Sequence, residues 1–233
     1  MTSTSTLLIA PRYLAGPDAR HAAAIGEQLT LAGWLEARGD EGSRYTSADG
    51  RREALYGPDG ACRGAYDTEP SWRFAARLAP GAPALWTAAF TPATPPELIA
   101  AFAAALADDA AHDAEGAPHY LRPPTAPLEA ARALDGAGWI RDLGAEAAWY
   151  EPTTMQAVVV SGHRAPDGTV ATNWLFAARR AVNLSVLWHA LATPEIPGHL
   201  VDALCRALID PAPAARTVLP HPSVGRLKVI QAA

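Results

Sequence analysis

Trp72-Arg73-Phe74-Ala75-Ala76-Arg77 returns later in the chain as Trp174-Leu175-Phe176-Ala177-Ala178-Arg179. The correspondence runs without a gap from Trp72 to Asp108 against Trp174 to Asp210. It brings Leu85-Trp86 onto Leu187-Trp188, Thr91-Pro92 onto Thr193-Pro194 and Leu98 onto Leu200. Further out, Pro11-Arg12-Tyr13-Leu14 matches Pro118-His119-Tyr120-Leu121, and Ala32-Gly33-Trp34-Leu35 matches Ala137-Gly138-Trp139-Ile140. Self-similarity of this kind decides the fold before any single element is assigned. The chain reads as two tandem copies of one unit: 1–106 and 118–210, an acidic linker at 107–117, and a tail at 211–233.

Each unit translates into elements. In Trp72 to Arg77 the period is two, with Trp72, Phe74 and Ala76 on one face and Arg73, Ala75 and Arg77 on the other. Trp86, Ala88 and Phe90 share a face of the next strand, which Thr91-Pro92 ends. A closing helix carries Leu98, Ile99, Phe102 and Leu106, against Leu200, Val201, Leu204 and Leu208 in the second unit. Near each start, a short strand at Tyr13-Leu14 leads into a helix with Asp18 (Thr125 in the second unit) as N-cap and Gly33 (Gly138) just past its end. Asp49-Gly50, Pro58-Asp59-Gly60 and Pro166-Asp167-Gly168 are tight-turn signals. The expected fold is α+β: two β-α-β-β-β-β-α units, antiparallel sheets with helices on one face, in a pseudo-twofold arrangement. The tail is read as either a disordered end or an added strand carrying Leu227, Val229 and Ile230.

The quoted motifs resemble a family. Pro11 to Gly16, Ala32 to Trp34 and Trp86 to Phe102 are similar to a streptomycete domain of unknown function, number 317 in its series. The second unit resembles it more loosely, because Gly198-His199 replaces Pro96-Glu97. The resemblance implies tandem occurrence and brings no chemistry with it.

Composition narrows the function classes. At 233 residues with a net charge of -5, bulk attraction to polyanions is excluded, although local patches are not. Arginine supplies nearly all the positive charge, Lys228 being the single lysine. Cys62 and Cys205 fall at inequivalent places, which fits unpaired thiols in a reducing cytoplasm. No signal core or run of about 20 apolar residues is present, so no membrane partner is expected.

No catalytic motif emerges, and no cofactor or metal is expected. The histidines are scattered, without HExxH or CxxC spacing. Ser161-Gly162-His163 lacks the nucleophile elbow and is expected in a loop. Gly136 to Trp139 ends a helix instead of opening one, so it is no phosphate loop. Six of seven tryptophans fall at matched positions, as core residues would, and not as a stacking platform for bases or sugars.

Arg77 and Arg179 correspond across the units and fall opposite the tryptophan face; Arg73 shares that face and Arg180 adjoins Arg179. These four are the candidate binding residues. They suggest a non-catalytic protein with a composite surface for nucleic acid (DNA) or an acidic protein, against the alternative of a structural or solvated face. A different class, an enzyme with its site in the cleft between the units, would use His163, His189 and His199, which the first unit lacks. Unpaired sheet edges leave homo-oligomerisation open.

Overall fold

The computed structural model describes residues 6–40, 42–57, 70–108, 118–122, 124–143, 147–163, 173–221 and 224–231. Cys62, both Pro-Asp-Gly turns and linker residues 109–117 lie outside the described residues.

The chain is α+β. A ten-stranded antiparallel sheet carries its helices on one face. Its first half is a meander of β2 (Leu35–Gly39), β3 (Gly42–Thr46), β4 (Arg52–Tyr56), β5 (Trp72–Arg77) and β6 (Ala84–Phe90). Its second half holds β7 (Ile140–Leu143), β8 (Ala147–Tyr150), β9 (Ala157–His163), β10 (Asn173–Arg179) and β11 (Val186–Ala192). Across the sheet the order is β2-β3-β4-β5-β6-β11-β10-β9-β8-β7, so β2 and β7 are the edges and β6 meets β11 at the centre. There Ala88 faces Ala192, Ala89 faces Leu191 and Phe90 faces Ala190.

The Thr-Pro motifs explain that seam. Each threonine ends its strand and bonds the neighbouring strand from the other half. Thr91 Oγ1 donates to the His189 carbonyl at 3.0 Å and accepts from the His189 N–H at 3.0 Å, and Thr193 Oγ1 accepts from the Thr87 N–H at 3.1 Å. Proline then supplies no further donor to the ladder.

Over the apolar face lie α1 (Ala19–Leu31), α2 (Pro96–Ala107) and α5 (Gly198–Ile209), with the short α3 (Pro127–Ala130) and α4 (Arg132–Gly136). Asp18 caps α1, accepting from the Arg20 and His21 N–H groups at 3.0 and 3.2 Å. Gly33 (φ 85°) and Gly138 (φ 77°) take the left-handed conformation just past α1 and α4. All seven tryptophans are buried, which gives them to the core. Two of them tie the halves together: Trp86 Nε1 donates to the Tyr120 carbonyl at 2.9 Å, and Trp188 Nε1 donates to the Tyr13 carbonyl at 2.8 Å.

Four expectations are corrected. After its first helical segment each half contributes five strands to the sheet, where four were expected. Tyr13-Leu14 lies in a 3-10 turn (Arg12–Leu14), and the true first strand, β1 (Leu7–Ala10), precedes it. The second half begins with the matching turn His119–Leu121, and Ala131 (φ -99°, ψ 13°) splits the expected helix into α3 and α4, with Ala126 rather than Thr125 as the cap. Ser161 sits in β9, opposite Trp174, and not in a loop.

The tail forms strands, but away from the large sheet. β12 (Ala214–Arg216) and β13 (Lys228–Gln231) flank β1 in a separate three-stranded sheet. Arg216 fastens it. Almost fully buried, it pairs with Glu97 at 2.6 and 2.8 Å and donates to the Ala15 and Gly16 carbonyls at 3.2 and 2.9 Å. Among the described residues no helix is long and apolar enough to cross a membrane.

Candidate functional site

The strand alternation places Arg73, Arg77 and Arg179 on the sheet face away from the helices. They are not adjacent there. Arg73 and Leu175 occupy one row, joined through Ala89 and Leu191. Arg77 lies four residues beyond Arg73 and Arg179 four beyond Leu175, on strands running in opposite directions. At 3.3 Å per residue and 4.8 Å per strand, about 30 Å separates their backbones. On the Arg179 side that face is apolar, with Ala148, Val158, Val160 and Ala177 clustered and Leu175 and Tyr150 packed against them.

Their electrostatics differ as well. Arg77 Nη2 sits 3.6 Å from Glu53 Oε1. Opposite Ala177, Val158 stands where Glu53 stands opposite Ala75, and among the described residues the Arg179 guanidinium has no ion pair. Arg73 and Arg180 are each engaged in an interaction. Arg180 borders a different hollow, with Tyr13, Trp188 and His221.

His189 and His199 lie on different sides of the sheet. His189 faces the same side as Ala177, away from the helices, whereas His199 is on α5. The His163 side chain lies outside the described residues. His199 packs against His119 with ring centroids 5.5 Å apart. Burial lowers the His199 pKa to about 4, helped by the nearby positive charge of His119 and Arg122. Cys205 is buried, and burial pushes its thiol well above the ordinary range, so it is no ready nucleophile. Among the described residues no group of three or more His, Cys, Asp and Glu is placed to hold a metal.

A cavity of about 570 Å³ lies where the 3-10 turn Arg12–Leu14, the second half and the tail meet. Tyr13, Trp139, Leu208 and Glu151 line it, with Asp210 and the exposed Arg226 and Lys228. Asp210 is tied to Arg12 at 2.8 Å. Glu151 bonds the turn after β8, accepting from the Thr153 and Thr154 N–H groups at 2.9 and 2.7 Å and from Thr154 Oγ1 at 2.7 Å. Burial works against its charge, but these bonds outweigh burial and hold its pKa below the usual carboxylate value. Burial, then the Glu151 charge, raise the Tyr13 phenol far above its ordinary pKa. The cavity therefore combines two aromatic rings with an ionised carboxylate for which no cationic partner exists among the described residues.

The matching place in the first half is filled. Arg52, 3% exposed, donates from Nη1 to the Leu106 carbonyl at 2.8 Å. Its guanidinium lies 4.5 Å from the Tyr120 ring centre and 5.4 Å from that of Trp34. The Tyr120 hydroxyl donates to Asp49, whose pKa is held low because hydrogen bonds from Ser47 and Tyr120 and the charge of Arg52 overcome burial. Neither Arg52 nor the cavity was singled out from sequence. The available signal was that β4 and β9 carry Arg52 and Ala157 opposite the matched Ala76 and Ala178.

Fold and site together define an α+β protein with a long antiparallel sheet and a polar-edged hollow against its N-terminal turn. Residues 46–111 match the family model SPDY, a domain of unknown function (DUF317), which is the family the quoted motifs resemble. That stretch runs from the end of β3 through α2. No curated protein and no solved structure matches the chain.

Proposed function

We propose that this chain is a non-catalytic binding protein, built as tandem copies of one unit, whose ligand site is the cavity at Tyr13 and Trp139. The observation that carries the reading is the lining itself: aromatic walls, a carboxylate with no ion pair among the described residues, and polar groups from separate parts of the chain. Its volume of about 570 Å³ falls in the ordinary range of small-ligand sites, about 300–1,000 Å³. Fragment screening of the full chain by NMR tests it, with the Trp139 indole N–H as reporter. Ligands should shift that resonance and lose affinity in Ala137→Trp, which fills the cavity wall. Binders indifferent to that change, or none at all, would refute the reading.

A second reading is favoured by Arg179, which has no ion pair among the described residues. DNA or an acidic protein surface would lie across the sheet face bearing Arg73, Arg77 and Arg179, with Arg180 beside it. A mobility-shift titration over a salt series checks this. Salt-dependent binding weakened by combined Arg77→Ala and Arg179→Ala supports it; its absence below tens of micromolar removes it.

A further inference from the structure

Arg52 shows what kind of group the scaffold takes between its aromatic walls. In the first half a tryptophan just before the edge strand (Trp34), a tyrosine in the 3-10 turn of the other half (Tyr120), and a carbonyl in the last turn of α2 (Leu106) surround its guanidinium. Asp49, in the turn after β3, supplies the counter-charge through Tyr120. The second half repeats the two rings and the helix end, and adds a carboxylate from a different position of the turn. Trp139 stands just before β7, Tyr13 in the other 3-10 turn, Leu208 in the last turn of α5 and Glu151 after β8, and all four line the cavity. At the place of Arg52, opposite Ala76, the second half has Ala157, opposite Ala178, and its carboxylate comes from Glu151, whose N–H bonds the Ala157 carbonyl as that of Ser47 bonds the Arg52 carbonyl.

Resting on the reading of this cavity as a ligand site, we infer that it receives a guanidinium-bearing ligand, seated as Arg52 is seated in the first half. A flat cation suits the faces of Tyr13 and Trp139, and Glu151 balances its charge. Asp210 does not compete, being paired with Arg12. The exposed Arg226 and Lys228 on the lining oppose a bare cation but suit a ligand whose other end is a carboxylate, as in free arginine.

Isothermal titration of the full chain with L-arginine and L-citrulline tests the inference, since the two share shape and backbone charges and differ in the guanidinium. Saturable one-to-one binding of arginine is expected, with citrulline about tenfold weaker or worse. An acetyl-Gly-Arg-Gly-amide arm distinguishes sources. Tighter binding of the capped peptide identifies a protein arginine side chain, and tighter binding of free arginine a small molecule. Ala157→Arg, which supplies the guanidinium in cis, should abolish arginine binding. Should that variant not fold, Ala137→Trp makes the same test from the exposed wall. Citrulline equal to arginine, or fragments that shift Trp139 while no guanidinium compound binds, overturns this inference and leaves the ligand site standing. No shift of Trp139 by any compound fails the underlying reading. Arginine binding unchanged in both variants places the ligand elsewhere and overturns the assignment.

Discussion

Arg52 is the perturbation with the largest effect that can be worked from the structure. Its guanidinium makes a charge-assisted bond to the Leu106 carbonyl, worth about 1.5–3 kcal/mol. It stacks at 4.5 Å on Tyr120 and 5.4 Å on Trp34, and a desolvated cation–π contact adds about 1–2 kcal/mol. Against this stands the desolvation of the cation. Arg52→Met keeps most of the packing volume and removes the charge. It should cost about 2–3 kcal/mol, because the Leu106 carbonyl and Asp49 lose their partner. Arg52→Ala adds a cavity and should cost about 3–5 kcal/mol. Urea unfolding followed by tryptophan fluorescence measures both, with an unchanged slope expected. Asp49→Asn should cost less in the Arg52→Met background than alone, since the charge that Arg52 rewards is already unrewarded. A loss below about 1 kcal/mol for Arg52→Met would refute the claim that this cation is a structural ligand.

Two further outcomes follow from the same coordinates. Arg216→Met removes the partner of Glu97 and the donors to Ala15 and Gly16; because Glu97 keeps some exposure, the cost should be about 2–4 kcal/mol. Glu97→Gln, which leaves the carbonyl bonds intact, should cost clearly less, and equal losses on urea titration would disprove the latch. His199 has its folded pKa depressed to about 4 from an ordinary 6.5, through burial first, then His119 and Arg122, with Asp108 and Asp202 acting the other way. The unfolded chain therefore takes the proton first, and stability falls as pH drops from 6.5 towards 4, by about 1–2 kcal/mol after allowing for residual solvent. Urea midpoints at pH 7.5 and 4.5 should differ less in His199→Gln than in the parent; an equal difference would clear His199.

The parts of the fold legible in sequence are those where burial alternates. Trp72-Phe74-Ala76 and Trp86-Ala88-Phe90 announce central strands because one face is wholly apolar. β2 escaped for the opposite reason. All five of its residues are exposed, Leu35 at 71%, so an edge strand leaves no alternation to read. The tail was half legible. Its strands pair with β1 at the far end of the chain, and Val229 and Ile230 stay nearly half exposed, so burial alone did not demand their order. The arginines were legible as one face, but their scatter was not, because antiparallel pairing sends matched positions to opposite ends. The cavity hid for a different reason. Its lining comes from the N-terminal turn, the second half and the tail, and residues so far apart in the chain carry no shared signal until the fold brings them together.

Neither half can satisfy itself. Each central indole, Trp86 and Trp188, donates to a carbonyl in the turn of the other half, and Thr91 and Thr193 bond across the same seam. An isolated half would leave a buried N–H unpartnered and an edge strand uncovered, and each deficit costs about 1–3 kcal/mol. Joining the halves in one chain removes both deficits, and the two corresponding places differ in what fills them. One place is closed by Arg52, which ties Tyr120, Trp34 and α2 into the core. The other has its rings and a carboxylate from Glu151, with alanine at the place of the cation. Natural chains commonly give up stability at the place where they bind. The ligand site proposed above lies at the open place, and Arg52 closes the corresponding place in the first half.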